Sequence, residues 1–483
     1  MKLKKIIKHI QNIEVKGSKD IEVTGITSNS KTVVPGNLFI AKKGITCDGS
    51  QFIDEAIEAG ASAILTDMYN PFLAKNVVQL ISKNISFLEG EIANVFYDDP
   101  SKSLFTVGVT GTSGKTTTTY MIRYLCEKLI GNTGLIGTVE WIVGNQYFPS
   151  TMTTPDIITN LKLMRDMRDS GSQACVMEVS SHALVQRRVD TIDFDVAVFT
   201  NLSRDHLDYH KDMEDYASAK ARLFYLLKDD SKTAVLNADS EWTPVVAKDI
   251  RAKKITYGIT NLADVTAQDI LLSGQGTKFT VCYKEEKLSF SSPLIGLFNV
   301  YNLLAAISVG LSKNFSLGKV VEVLSSFHEV PGRLQRVANS RGLDIFVDYS
   351  HKPDALENVL KTLNHIKKNK LICLFGCGGD RDQGKRSIMG EIGDKFSDEL
   401  IITSDNPRSE DPLEIINQIL SGVQDLSKVI VEPDRKLAIN LAVKKMSKGD
   451  ILLIAGKGHE TYQIFSNSKV KFDDRMIAQE SCK

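Results

Sequence analysis

The chain has 483 residues, and Lys+Arg and Asp+Glu both number 59, so its formal net charge is zero; nothing global favours nucleic acid or an anionic membrane. Hydrophobic content of 42% and charged content of 24% are those of an ordinary soluble protein of several domains. No apolar run approaches the ~20 residues of a membrane span, no signal-type apolar region follows the basic N-terminus, and the seven cysteines are scattered and odd in number, which argues against a disulfide framework and for a reducing cytoplasm.

Residues 1 to about 97 read as a small α/β unit, with strand-like runs at 21–23, 37–41 and 63–66 and a helical pattern at 51–59. Polar and glycine positions at 28–31 and 44–49 follow strand-like segments, where open α/β sheets bind ligands, although each alone reads as a turn. Asp98-Asp99-Pro100-Ser101 reads as a linker or helix cap. A β-like run at 104–109 then leads through TGTSGKTTTT (110–119) into a helical pattern at 120–130. Strand, glycine loop and helix in that order make a phosphate cradle. Gly111 and Gly114 let the backbone approach phosphate oxygens, Lys115 reaches the β/γ-phosphates, and the Thr116 hydroxyl suits Mg²⁺. The strict loop pattern would place a glycine at position 109, where this chain has Val109, so the loop is a variant.

Beyond the loop, strand-like and helical segments alternate. ACVMEV (174–179) and VAVFT (196–200) read as buried parallel strands ending in polar residues. Residues 265–290 alternate as antiparallel hairpins do, and Pro331-Gly332 marks a boundary. The α/β pattern then resumes, with strands at 345–347, 371–375, 399–403 and 451–455, each followed by a polar motif: DYSHKPD, GCGGDRDQGKR, SDNPRSEDP and GKGHE. Cys373 and Cys377 read as buried thiols rather than a zinc site.

Glu178 ends one central strand and His206 lies just past another. A strand-end carboxylate alone reads as a solvated group; beside a phosphate loop it reads as an oxygen ligand for a hard cation, with Thr116, and His206 suits a second metal. Lys220 lies in a helix whose Tyr216, Ala219, Leu223 and Phe224 form an apolar stripe, and from periodicity alone it snorkels to water.

The ordered set GTSGKTTTT, MEVSSHAL, TNLSRDHLDYH, YASAKARLF, GLFNVYNLLAA, PGRLQRV, DNPRSEDP and AGKGHE resembles the Mur ligases and, more closely, their MurE type, across nearly the whole chain. The resemblance implies three α/β domains: an N-terminal UDP-sugar-binding domain (1–99), a central doubly wound ATPase domain of phosphate-loop type (100–332) and a C-terminal Rossmann-like amino-acid-binding domain (333–483). It implies ATP held by Gly111, Thr112, Ser113, Gly114, Lys115, Thr116 and Thr117, with Asn299, Asn302, Arg333 and Asp348 around adenosine. It implies Mg²⁺, two ions, and a CO₂-derived carbamate on Lys220 (N6-carboxylysine), which replaces the snorkelling reading and makes Lys220 an anionic metal ligand with His206. Lys115, Glu178, His206 and Lys220 form the implied catalytic set. The nucleotide-sugar dipeptide falls to Ser28, Ser30, Thr46, Thr153, Thr154, Ser180, Gln186 and Arg188. The implied reaction phosphorylates the dipeptide carboxylate with ATP and couples the acyl phosphate to an amine, domain three closing over domain two, in a cytoplasmic monomer whose partners are small molecules.

The choice of amine has local chemistry behind it. Arg381, Asn406 and Arg408 suit carboxylates, Arg through its bidentate fork, and Glu460 suits a distal ammonium, so together they read the far end of a diamino diacid. With Asp405, Pro407 and Gly456 they match the family's acceptor site of the meso-diaminopimelate type. LL-diaminopimelate or lysine as acceptor, a folylpolyglutamate-synthase-like ligase, and a non-catalytic nucleotide-binding paralogue are the alternatives. Asn29 and Lys31 (for Asp and Arg), Met152 and Lys352 depart from the family pattern.

Overall fold

The computed structural model describes residues 1–44, 47–74, 76–466 and 468–483. The chain forms two compact units, Met1–Lys115 with Ile122–Thr256, and Thr116–Met121 with Tyr257–Lys483.

The first unit opens with a five-stranded sheet in the order Glu14–Lys16, Val78–Ile81, Ala63–Thr66, Asn37–Ile40, Gly25–Thr27. The pairings are parallel except that of Glu14–Lys16. The strand expected at 21–23 falls instead at Gly25–Thr27. The reason is local: Val23 N–H donates to Met1 O (2.8 Å) and Leu3 N–H to Ile21 O (3.0 Å), so this apolar run pairs with the first residues of the chain before the sheet begins.

Next comes a parallel set in the order Thr233–Asn237, Val196–Phe199, Phe105–Thr110, Ala174–Glu178, Thr133–Ile136, continued by the antiparallel pair Glu140–Val143 and Gln146–Pro149. Helices Lys115–Leu129, Ile157–Asp169 and Met213–Tyr225 connect these strands. Phe105–Thr110 lies between two strands reached later from opposite sides, so its C-terminal end is a switch point, where α/β sheets open a crevice for ligand. Its residues Val107 and Val109 are fully buried, which is why the run reads as continuously apolar.

In the second unit, Val265–Ser273, Gly276–Tyr283 and Glu286–Ser292 make the expected antiparallel meander. Helices Leu297–Ser312 and Leu317–Ser325 follow it. The C-terminal sheet has six strands in the order Gln335–Arg336, Asp344–Asp348, Ile451–Ala455, Leu371–Phe375, Glu399–Ile402, Val429–Val431, with the first antiparallel. Its apolar runs split by period two. Leu371, Cys373, Phe375, Ile451, Leu453 and Ala455 pack with helices Pro353–Ile366, Lys385–Phe396 and Pro412–Leu420. Ile372, Leu374, Leu452 and Ile454 pack with Arg435–Lys445 and Asp474–Glu480. Both faces being covered, the central strands Leu371–Phe375 and Ile451–Ala455 are apolar throughout, and the polar motifs follow the C-terminal ends of the parallel strands. Cys373 and Cys377 are buried in this core, and burial pushes the Cys377 thiol up to about 12.

Candidate active site

The glycine loop at 110–115 is braced by residues that sequence reasoning did not single out. Gly111 has φ +150°, and a Cβ there would stand 1.8 Å from the Thr200 hydroxyl. Thr200 Oγ1 donates to Ser113 O (2.7 Å), Asn201 Oδ1 accepts from Ser113 N–H (3.0 Å), and Thr112 N–H donates to Asn201 O (2.9 Å). The TNLS turn after strand Val196–Phe199 is thus a cradle for the loop. Lys115 Nζ donates to Gly111 O (2.8 Å) and Thr112 O (2.9 Å), at the helix N-terminus where an anion is favoured.

Lys220 does not snorkel. It is 1% exposed, donates from Nζ to Gly111 O (2.8 Å) and lies 4.5 Å over the Tyr216 ring. The spacing of four in helix Met213–Tyr225 sets both on one face. Tyr216 Oη is 3.2 Å from Thr112 Oγ1, and its ring stacks on His210 at 4.9 Å. His210 is buried between Ser181 Oγ (2.9 Å from Nε2) and Asp215 Oδ2 (3.3 Å from Nδ1). His206, with left-handed backbone (φ 54°), meets His182 edge to face at 4.8 Å. Burial and His210 hold His182 below its usual range.

Glu178 is 1% exposed; Oε1 accepts from Thr138 N–H (2.8 Å) and Oε2 from Thr138 Oγ1 (3.0 Å). Thr138 Oγ1 is 3.0 Å from Thr153 Oγ1, Thr154 Oγ1 donates to Glu178 O (2.8 Å), and Ser180 N–H donates to Thr154 Oγ1 (3.1 Å). Arg188 donates to Gln186 Oε1 (2.6 Å) and Thr154 O (2.8 Å) and touches Met152 Sδ at 3.2 Å. Thr153, Thr154, Ser180, Gln186 and Arg188 are therefore brought together around Glu178. Ser28 and Ser30 lie in the turn after strand Gly25–Thr27, where Asn29 Oδ1 accepts from Lys31 N–H (3.1 Å). Thr46 lies outside the described residues.

In the second unit, Arg333 Nη2 donates to Thr116 Oγ1 (3.1 Å), and its guanidinium lies 4.7 Å over Tyr349. Asp348 accepts from Leu334 N–H (2.6 Å) and Ser350 N–H (2.8 Å). Asn302 bonds Thr118 Oγ1 (3.2 Å) and Asn299 Oδ1 (3.1 Å), while Thr117 is buried beside them in the chain. Burial lowers His351 and His459 to about 4, the neighbouring Arg333 adding to the effect on both.

A second cluster gathers the loops after strands Leu371–Phe375, Glu399–Ile402 and Ile451–Ala455. Asn406 Nδ2 donates to Glu460 Oε2 (2.9 Å). Gly456 has φ +111°, and a Cβ there would stand 2.7 Å from Asp405 Oδ2, so only glycine lets that carboxylate close over the strand end. Arg408 Nη1 donates to Gly379 O (2.6 Å), and its backbone N–H donates to Ile464 O (3.1 Å). Arg408 also sits in the left-handed region at φ 53°, following Pro407. Arg381 is exposed; its Cγ and Arg408 Nη1 lie 3.8 and 2.9 Å from where a Cβ on Gly378 would be. Arg386 and Glu410, also missed, clamp these loops. The fully buried Arg386 takes both Glu410 oxygens (2.8 and 2.9 Å) and Gly378 O (3.1 Å), and Glu410 also accepts from Asp380 N–H. That pairing holds Glu410 down at about 2. Alternating i,i+4 or strand periods carry no signal for such loop-to-loop clamps.

A glycine loop opening a helix at the switch point of a parallel sheet, with a buried Glu at the neighbouring strand end, defines a nucleotide-binding α/β enzyme. The Mur ligase middle domain model matches residues 109–310, the Mur ligase glutamate ligase domain model residues 332–458, and the Mur ligase family catalytic domain model residues 22–96. The UDP-N-acetylmuramoyl-L-alanyl-D-glutamate–2,6-diaminopimelate ligase of Chlamydia caviae is 44% identical over 483 residues, covering 99% of each chain. That of Caldanaerobacter subterraneus is 40% identical over 481 residues, covering 99% of this chain and 98% of its own. A solved structure of a ligase of the same name has 32% identity and a TM-score of 0.72, covering 100% of this chain and 98% of its own. The chain belongs to the Mur ligase family, whose members are ATP-dependent ligases. Among the described residues no helix is long and apolar enough to cross a membrane.

Proposed function

We propose that this chain adds meso-2,6-diaminopimelate to the free carboxylate of UDP-N-acetylmuramoyl-L-alanyl-D-glutamate, with cleavage of ATP to ADP and phosphate, in cytoplasmic peptidoglycan precursor synthesis. The observation that carries the acceptor is the convergence of Arg381, Asn406, Arg408 and Glu460 at one sheet edge: cationic forks and an amide for a carboxylate, and a carboxylate for an ammonium. Full-length relatives named as 2,6-diaminopimelate ligases support diaminopimelate as the acceptor.

In this reading the domains are 1–99 for the UDP-sugar, 100–332 for ATP and catalysis, and 333–483 for the amino acid. Ser28 and Ser30 face the uridine end; Thr153, Thr154, Ser180, Gln186 and Arg188 hold the muramoyl dipeptide. Residues 111–117 hold the phosphates, with Lys115 screening the charge that develops as the carboxylate attacks the γ-phosphate in line. Asn299, Asn302, Arg333 and Asp348 hold the adenosine part. The acyl phosphate then meets the acceptor amine, phosphate leaves, and closure of domain three keeps water out. The protein acts as a monomer on small molecules.

The donor chemistry fits a hard cation. Thr116 and Glu178 offer oxygen atoms, and Glu178 is fixed by Thr138. Among the described residues no group of three or more His, Cys, Asp or Glu side chains is arranged to hold a metal ion, so Mg²⁺ would complete its shell with phosphate and water oxygens, as it ordinarily does. When bound, Mg²⁺ neutralises phosphate charge. A carbamate on Lys220 would add an anionic ligand for a second ion beside His206. The carbamate nitrogen keeps an N–H, so the bond from Lys220 to Gly111 O survives that modification.

Phosphate release from ATP in the presence of the UDP-muramoyl dipeptide tests the reading. Release is expected with meso-diaminopimelate and to be far slower with L-lysine or LL-diaminopimelate. Release with lysine but not with diaminopimelate would overturn the acceptor assignment; no release with any amine would favour a silent paralogue.

A further inference from the structure

Lys457 has no part in the roles above, yet its side chain is fully enclosed, at 0% exposure, and lies against two acceptor-site residues. A buried ammonium must be compensated by partners. Nζ donates to Asn406 Oδ1 (3.0 Å) and Glu460 Oε2 (3.1 Å) and lies 5.6 Å over the Tyr462 ring. Asn406 Oδ1 accepts a second bond, from Ile464 N–H (3.0 Å).

An asparagine amide has one accepting and one donating end of nearly the same shape, so its neighbours decide its orientation. Here an ammonium and a backbone N–H both demand the oxygen. Turning the amide over would set its NH₂ against two donors. The nitrogen is therefore directed to Glu460 Oε2 (2.9 Å), and it keeps one N–H to give.

We propose that Lys457 is a specificity-determining positioning residue. It locks the Asn406 amide with its donors toward the acceptor, and it neutralises part of the Glu460 charge, so the site favours a far end carrying a carboxylate as well as an ammonium. This rests on the reading of these loops as the acceptor site. Without Lys457 the cluster of Asp405, Asn406 and Glu460 gains net negative charge. An acceptor with a bare distal ammonium, such as L-lysine, then improves relative to the diacid.

The test is steady-state kinetics of the full-length protein with meso-diaminopimelate and L-lysine. Lys457→Met keeps length and volume. Its expected effect is a fall of about tenfold or more in the kcat/KM ratio of diaminopimelate over lysine, with KM for ATP unchanged. A ratio within twofold of the parent overturns the proposal. Should Lys457→Met fail to fold, the isosteric Asn406→Asp decides, because it replaces the directed nitrogen by oxygen. Diaminopimelate KM is expected to rise about tenfold or more, and an unchanged KM overturns the proposed orientation. Asn406→Ala and Arg408→Ala separate the two readings. If neither moves diaminopimelate KM, the acceptor site itself is misplaced. If both raise it while Lys457→Met leaves the ratio intact, only the lock fails.

Discussion

Arg435 and Asp474 form an ion pair with 0% exposure on both sides, beside the residues that precede Asp405 and Gly456. Arg435 Nε meets Asp474 Oδ1 at 2.8 Å and Nη2 meets Oδ2 at 2.7 Å; the guanidinium also donates to Ser404 O (3.3 Å) and Ala455 O (3.0 Å). Ala455 ends the strand that delivers Gly456, and Ser404 lies just past strand Glu399–Ile402, next to Asp405. Asp474→Asn removes the counter-charge and turns an NH₂ toward a guanidinium that has no water to turn to. Breaking a buried pair on one side costs about 3–5 kcal/mol. Removing both charges with Arg435→Met/Asp474→Leu leaves no stranded ion. The cost is then about 2 kcal/mol, roughly 1 kcal/mol for each carbonyl that loses its donor. Urea unfolding followed by circular dichroism, with the double variant closing the cycle, measures the difference. The double variant must be the more stable of the two. If it is as destabilised as Asp474→Asn, the stranded-charge argument is wrong, and the pair acts only through packing.

Three further outcomes are expected. Lys220→Ala should lose activity and recover part of it with added short carboxylates; a fully active variant would rule out the carbamate role. Gly111→Ala, whose Cβ would overlap Thr200 Oγ1 at 1.8 Å, displaces the phosphate loop, and kcat/KM for ATP should fall about 100-fold in a chain that still folds. His351 and His459, held near 4 against an ordinary 6.5, take up protons in the unfolded chain before the folded one. The histidine contribution to stability should therefore fall as pH drops from 6.5 to 4 and level off below, by up to about 3 kcal/mol per histidine. Urea midpoints at stepped pH check this, and His351→Gln/His459→Gln should flatten the slope.

The long α/β rhythm was legible because burial on both faces leaves a plain record: 371–375 and 451–455 are strands at the bounds their apolar runs suggest. The strand, glycine loop and helix at 105–129 were legible because their spacing is local. The strand expected at 21–23 misled because the same apolar alternation serves pairing with the chain's first residues. Lys220 shows a different limit. Helical spacing set it beside an apolar stripe and so suggested snorkelling, but spacing cannot say that the end of the side chain is enclosed, donating to Gly111 O over the Tyr216 ring. The supports were least visible. Thr138 on Glu178, Thr200 and Asn201 under the loop, and Arg386 on Glu410 act between segments far apart in the chain, and each is an ordinary polar residue until the fold brings its partner.

Arg408 holds an L-residue backbone at φ 53°, where glycine and asparagine are more at ease, at a cost of about 1–2 kcal/mol; its bond to Gly379 O returns part of that. On the proposed reading of Arg408 as an acceptor-binding residue, acceptor choice and backbone ease therefore pull against each other at one position. A lineage drifting toward thermal robustness would be free to relax this corner to Asn or Gly with the phosphate loop untouched. It would keep its ability to activate a carboxylate while losing its preference for what is joined to it.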